Sequence, residues 1–305
     1  MNCDVPRAAL PRGAWDRFVL AHPEGWFFHS EAWLDYALAY APGSRDASVA
    51  IVSGDEVEAV VPAVLATDGS PTYGGQPMAA PLLGDNIDME WEMFPSMRVA
   101  WRPGTDIDDI TVPSTGTLQR DTTFVVDLWD GDEVAHWRRL RKSYRSLVHQ
   151  AERDYDIVVA SGISQNTQRL VYAVAQDLHV EAAGRRTRSA ATWELMTQWA
   201  SAGQGLVAVA QDRATQAYVG FAYAIRWKHW SYWMSGATLR RNLQHALQWH
   251  LMKALMCDGE TRYYEIGHAA DHAAPDDEKA KNIAFFKAGF GGQRWTVLSV
   301  DGSHQ

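Results

Sequence analysis

The sequence predicts an α/β protein of mixed type, made of two related lobes, each a mostly antiparallel sheet flanked by helices. Three observations carry that prediction. Strand-like runs arrive in hairpins rather than alternating singly with helices, so the βαβα order of a doubly wound dinucleotide fold is absent. A Trp-bearing helix, a short loop, a strand, a polar turn and a longer apolar strand follow one another twice, over 31–65 and again over 190–225, which is the signature of an internal repeat. The 305 residues are 47% apolar and 21% charged, enough apolar material for one large core or two ordinary ones and too much for a disordered chain.

Each element follows from local pattern. Residues 11–22 predict a short helix, and Ser30 is a plausible N-cap for a second helix over Glu31–Tyr40, stopped by Pro42-Gly43-Ser44. A hairpin follows, 48–52 and 57–65 about a Ser53-Gly54-Asp55 turn. Residues 67–117, rich in Gly, Pro and Asp, read as loops with short strands, and 122–128 as a strand. The clearest helix spans 134–154: Val134, Trp137, Leu140, Tyr144, Leu147, Val148 and Ala151 step mostly by three or four. A strand over 157–160, helices over 165–180 and 190–200, and a second hairpin, 206–210 with 218–225, come next. Strands over 230–236 and 262–267 enclose a helix over 245–256, and a final strand covers 294–300.

Composition excludes several function classes. The formal charge is −9, so the chain is no general nucleic-acid binder, and DNA is not an expected partner. Two cysteines, Cys3 and Cys257, cannot make a disulfide scaffold or a four-cysteine zinc site. The first residues lack the basic start and apolar run of a secretory signal, and no window approaches a membrane span, so a cytoplasmic setting is expected. The 14 Trp are most simply core fillers.

The usual catalytic signatures are missing: no G-x-S-x-G, no P-loop lysine motif, no G-x-G-x-x-G. His268, Asp271 and His272 have spacing that could clamp a metal on a helix, but Gly267 and Pro275 argue for a loop, and no metal is expected. Three cationic clusters stand out in this acidic chain: Arg138, Arg139, Arg141, Lys142 and Arg145 on the 134–154 helix, Arg185, Arg186 and Arg188 ahead of the next Trp helix, and Arg240 with Arg241 ahead of the 245–256 helix. Each can be a solvated face; together they point to a phosphorylated or polyanionic ligand in the second half. The sharpest local signal is Asn282-Ile-Ala-Phe285-Phe286-Lys287-Ala-Gly289-Phe290-Gly291-Gly292. A lysine among aromatics loses water, so its charge acts strongly on a developing oxyanion. The competing reading is a helix ending at a glycine with Lys287 complementing its dipole.

Taken in order, LRKSYRSLVHQAER (140–153), GRRTRSAATWEL (184–195), HALQWHLMKAL (245–255), YYEIGHA (263–269) and NIAFFKAGFGG (282–292) resemble the FemABX-type aminoacyltransferases, in which two GNAT-like lobes are fused. The resemblance spans roughly 25–300. It implies lobes at 1–133, completed by 293–305, and at 134–292. It also implies transfer of an amino acid from aminoacyl-tRNA to an amine on a small molecule, natural-product intermediate or peptide precursor. Under it, Lys287 beside Phe286 is similar to the family's lysine at the acyl-transfer centre, and Arg188 to the arginine that grips acceptor phosphates.

The same reading takes Glu265 as proton acceptor, and Arg141, Lys142, Arg145, Arg185, Arg186, Trp193, Tyr232, Trp233, Arg240 and Arg241 as substrate-binding. Two departures stand out. Thr192 and Trp193 follow Arg188 where the family often has a tyrosine, and Leu-Asp-Tyr-Ala follows Trp33 where it usually has a lysine. Both tell against the usual muramyl-peptide acceptor. An activated ester requires positioning and charge stabilisation but no covalent nucleophile, so no separate cofactor is expected. An acyl-CoA donor is the alternative for lobes of this kind. The stretch Gly236–Gln244 lacks the second and third small residues of a pyrophosphate loop. A non-catalytic tRNA- or phosphate-binding relative is the third reading.

Overall fold

The computed structural model describes residues 2–85, 87, 98–107, 117–129, 131–269 and 277–301. The chain divides into two compact units, the first running to Thr122 and resuming at Trp295, the second spanning Thr123–Arg294.

The first unit begins with β1 (Asn2–Pro6), α1 (Ala14–Ala21), α2 (Glu31–Tyr40), β2 (Arg45–Asp46), β3 (Val49–Ser53), β4 (Glu56–Val61), β5 (Val64–Leu65), β6 (Met78–Ala79), β7 (Leu82–Leu83) and β8 (Arg98–Ala100). Strand β1 escapes sequence reading because it has no apolar alternation; its partner β3 holds it in an antiparallel ladder, Val5 opposite Ala50. The sheet order is β1-β3-β4-β7. Ser30 caps α2 as expected, its hydroxyl accepting from the Trp33 N–H at 3.2 Å. The long second strand expected over 57–65 is broken after Val61, and β5 pairs with β2 instead. Pro62 has no N–H to donate to a ladder, which ends the pairing there. Trp15 and Trp33 are buried, the core role expected of them. Buried beside them, His29 accepts from the Trp26 N–H on Nδ1 at 3.1 Å and so donates from Nε2 to the Ala80 carbonyl at 2.8 Å. Burial pushes this imidazole down to about 4, so it is a neutral strut.

Strand β9 (Thr117–Asp127) leads into the second unit, which contains α3 (Glu133–Arg139), α4 (Lys142–Asp154), β10 (Tyr155–Ala160), α5 (Gln165–Arg169), α6 (Gln176–Ala183), α7 (Ala190–Ser201), β11 (Gly205–Asp212), β12 (Tyr218–Trp227), β13 (Trp230–Thr238), α8 (Leu243–Asp258), β14 (Tyr263–His268) and α9 (Glu278–Ala288). The strand β15 (Gln293–Asp301) follows and pairs antiparallel with β8, itself parallel to β6. In the second unit the strand order is β10-β11-β12-β13-β14-β9, antiparallel except for β13 against β14. The run Gly205–Ala210 is buried throughout, so helices cover both faces of β11. Helix α8 is buried nearly all round, with Leu247, Leu251, Met252 and Leu255 in the main core. On the other side, the Tyr223 hydroxyl donates to the Met196 carbonyl of α7 at 2.7 Å.

Two expectations need correction. The single helix over 134–154 is two helices. Leu140 and Arg141 are extended, because the Arg141 N–H donates to the Gly289 carbonyl at 2.9 Å, a tertiary bond that periodicity cannot register. Val134, counted on the apolar stripe, is exposed, whereas Tyr144, Val148 and Ala151 are buried as expected. The helix expected over 165–180 carries a π-helical stretch at Leu170–Ala175 and continues through α6 to Ala183. The extra residue per turn re-aims the segment beyond it, and His179 lies there.

Candidate functional site

The site grows from a defect in the second sheet. Strands β13 and β14 pair in parallel over only three residues each, Trp230–Tyr232 against Tyr263–Glu265. Strand β13 then continues to Thr238 and β14 to His268 without pairing to each other. Each strand also carries an irregularity: the β12–β13 register shifts at Met234, and the β14–β9 register at Ile266. Bulges of this kind bend a strand and re-aim its side chains. A cavity of about 880 Å³ opens between the parted strands, walled by Tyr232–Gly236 and Ile266, with α9 and His179 of α6 closing it.

Helix α9 delivers the sequence motif. Asp277 caps it, accepting from the Ala280 N–H at 2.9 Å. Lys279, Asn282, Ile283, Phe286 and Lys287 all line the cavity, the i, i+3, i+4, i+7, i+8 face of one helix. The other face is pinned by Tyr144: its hydroxyl donates to the Phe286 carbonyl at 3.1 Å and accepts from Arg141 at 3.1 Å. Tyr144, His245, Phe286 and Phe290 pack ring against ring at 4.2–6.4 Å. The helix ends at Gly289, which is right-handed helical in backbone (φ −78°), so the glycine does not serve as a left-handed cap. It serves a close approach: a Cβ there would lie 2.1 Å from the Tyr144 ring.

Lys287 donates to the His268 carbonyl at 3.2 Å and makes no ion pair among the described residues. Burial lowers its pKa, opposed by the charge of Glu265. Gly267, with φ +100°, leaves the recess into which the ammonium fits: a Cβ at that position would be 2.9 Å from Nζ. Glu265 is 3% exposed and stands behind the cavity wall rather than in it. Its Oε1 accepts from the Thr123 hydroxyl at 2.8 Å, while Oε2 has no hydrogen-bond partner among the described residues. Burial raises this carboxyl to about 7, against the lowering influences of Thr123 and Lys287. The carboxyl and the amine are each pulled toward the neutral form by desolvation, and each charge opposes that shift in the other.

Arg188 reaches the cavity from the loop before α7. Its guanidinium donates to the Ser235 hydroxyl at 2.6 Å and lies 5.8 Å from the Trp193 ring centre. Next to it, burial and the Arg188 charge push His179 down to about 4, so that imidazole is neutral at pH 7.

Of the residues expected at the site, Lys287, Phe286, Arg188, Tyr232 and Trp233 line one cavity. Trp193 does not: it is 1% exposed and supports Arg188 from below as a core ring. Glu265 does not line it either, and acts on the lining through its charge on Lys287. The three arginine clusters do not converge on the cavity. Arg185, Arg186, Arg240 and Arg241 are exposed and outside its lining. Arg141 is committed to packing, its guanidinium 3.6 Å from the Phe285 ring centre, and Lys142 is exposed on α4. Of the possible metal cluster, Asp271 and His272 lie outside the described residues, and the backbone of His268 serves Lys287. Met234, Ser235, Gln244 and His179 were not foreseen, since strand divergence brings them in and leaves no local mark. Of the α9 face, Phe286 and Lys287 were readable in the sequence motif, and the structure adds Lys279, Asn282 and Ile283.

Two α/β units of this construction define a tandem GNAT-like fold. Among solved structures the chain is similar to FemX, at TM-score 0.64 and 12% identity over 97% of this chain and 96% of that one. It is similar to a tandem GNAT protein from the clavulanic acid biosynthesis pathway, at TM-score 0.52 and 13% identity over 100% of both chains, and to L-PGS from Bacillus licheniformis, at 0.52 and 14% over 88% and 87%. At such identities the likeness is one of fold. No protein-family model and no curated protein sequence matches the chain. Among the described residues no helix is long and apolar enough to cross a membrane.

Proposed function

We propose that the protein is an acyltransferase that takes an aminoacyl group from aminoacyl-tRNA and forms an amide with an amine acceptor, a small molecule or a peptide. The observation that carries this reading is the recessed Lys287 ammonium, desolvated in the wall of an 880 Å³ cavity, with the buried Glu265 carboxyl behind it.

The chemistry follows from these groups. The acceptor nitrogen attacks the ester carbonyl, and charge collects on its oxygen. A cation in a desolvated wall stabilises that oxygen more than the same charge in water would, at no reorganisation cost in the transition state. The new C–N bond forms as the ester C–O bond breaks, and the terminal ribose hydroxyl leaves. The attacking nitrogen must lose a proton and the departing oxygen must gain one. Glu265, or the departing oxygen of the substrate itself, takes that proton while Lys287 keeps its charge. The ester is already activated, so no acyl-enzyme and no separate cofactor are needed. The exposed Arg138 and Lys142 and the half-buried Arg145 on α3 and α4 offer phosphate contacts to the tRNA, and the reaction would run in the cytoplasm, where charged tRNA is kept.

The test is incubation of the full chain with a mixture of radiolabelled aminoacyl-tRNAs and cell extract. Label should move to a small amine without added CoA. Transfer supported by acyl-CoA alone would replace the donor with the GNAT alternative. Binding of tRNA with no transfer by wild type would leave a binding protein.

A further inference from the structure

The chain as a whole carries a formal charge of −9, yet among the described residues that line the cavity there is no Asp or Glu, while Arg188, Lys279 and Lys287 all face it. A cavity whose described lining is cationic and holds no carboxylate concentrates anions. Beside these cations the wall carries His179, Ser235, Gln244 and Asn282 as neutral polar groups, and Tyr232, Trp233, Met234, Ile266, Ile283 and Phe286 as apolar or aromatic surface. Apolar and aromatic surface interrupted by discrete polar groups is the arrangement of a site for a small molecule with an apolar body.

Arg188 is set for one ligand oxygen pair. Ser235 holds one of its N–H groups at 2.6 Å, the Trp193 ring lies against it at 5.8 Å, and no carboxylate of the described chain pairs with it. A guanidinium held this way has lost its rotamer freedom in advance and presents its remaining donors as a fork, the shape a carboxylate accepts. The side chains beside it, Ser235 and the neutral His179, add no further positive charge, so the local balance suits a single negative charge better than a phosphate dianion.

We propose that the acceptor is a carboxylic acid with an apolar or aromatic body, its carboxylate on Arg188 and its body against the Tyr232, Ile283 and Phe286 surface of the cavity, with its amine toward Lys287. The assignment of this ligand as acceptor rests on the transferase reading above; the anion selectivity of the cavity does not.

The experiment is calorimetric titration of the full chain with N-acetyl-L-phenylalanine, with its uncharged amide, and with AMP as a stand-in for the donor's terminal nucleotide. The acid should bind about tenfold to a hundredfold more tightly than the amide, as expected when a charge-assisted bidentate contact is lost. Arg188→Gln should erase the preference while circular dichroism stays unchanged. The wild-type comparison of acid with amide stands even if that variant misfolds. Equal binding of acid and amide overturns the proposal. So does AMP binding more tightly than the acid with the same dependence on Arg188, which would give this end of the cavity to the donor. No tRNA, CoA or turnover enters the measurement, so its failure and failure of the transfer assay are separate results.

Discussion

The Lys287 ammonium occupies space that exists only because residue 267 has no side chain: a Cβ on Gly267 would stand 2.9 Å from Nζ, on a backbone at φ +100°. Strand β14 bulges at this point, so the sheet irregularity that opens the cavity also makes the recess for the reactive amine. Gly267→Ala should strain the backbone by about 1–3 kcal/mol and push the amine off its position, lowering transfer by about tenfold or more. Thermal melts and turnover of the same preparation check this. A variant with unchanged rate would mean that the recess has no part in positioning Lys287.

Removing the amine itself has a different signature. Lys287→Ala should lower kcat by about a hundredfold or more while acceptor affinity changes little, because the charge is used mainly in the transition state. The lowered Lys287 pKa further places the alkaline fall in wild-type rate below the ordinary lysine range. A pH profile of kcat tests both statements.

Glu265 supplies a stability signal with a definite sign. Its folded pKa is about 7 against an ordinary 4.5, so between those values the folded state holds a proton that the unfolded chain has released. Its contribution to stability is present below pH 4.5 and is lost as the pH rises through about 7. Glu265→Gln, which resembles the protonated acid, should therefore gain on wild type as the pH rises, by an amount on the order of 3 kcal/mol across that window. Urea midpoints near pH 5 and near pH 8 measure it; parallel curves for the two proteins would deny the buried, raised carboxyl.

Gly289 and Tyr144 form a structural pair. The 2.1 Å approach of a built Cβ to the Tyr144 ring predicts that Gly289→Ala costs about 1–3 kcal/mol by overpacking. Loosening the ring should also release the Phe286 carbonyl that its hydroxyl holds. Gly289→Ala combined with Tyr144→Phe separates clash from lost hydrogen bond, read as denaturant midpoints.

Charge reversal on the α3–α4 surface should weaken tRNA binding and flatten its dependence on salt, by about one unit of log–log slope per phosphate contact removed. Lys142 and Arg145 are the clean positions. Arg141 is stacked on Phe285 and hydrogen-bonded to Tyr144, so its reversal should cost stability as well, which a melt would register.

Much of the fold was legible because its signals are local. The capped helix at 31–40 and the hairpins depend on spacing within about ten residues, where propensity and periodicity act, and the repeat that marks two lobes is the same local pattern met twice. The motif at 282–292, with Phe286 and Lys287 in it, was legible for the same reason, whereas the cavity face that adds Lys279, Asn282 and Ile283 came from the structure. The break at Leu140–Arg141 was not, because a carbonyl nearly 150 residues away takes the Arg141 N–H. Trp193 was misplaced as a ligand contact for a related reason: nothing in GRRTRSAATWEL says whether an aromatic beside an arginine faces outward or supports it from the core.

The order of residues by itself determined that this chain forms paired α/β lobes and carries a lysine set among aromatics near its end. Only the tertiary structure decided that β13 and β14 part after three paired residues, that Glu265 lies behind the wall instead of in it, and that Arg188 alone of the clustered arginines lines the cavity. Side-chain pattern is written along the chain, but strand divergence, burial of a carboxyl and the facing of a surface arginine are set by which distant segments pack together. That is where desolvation, and with it the chemistry, is determined.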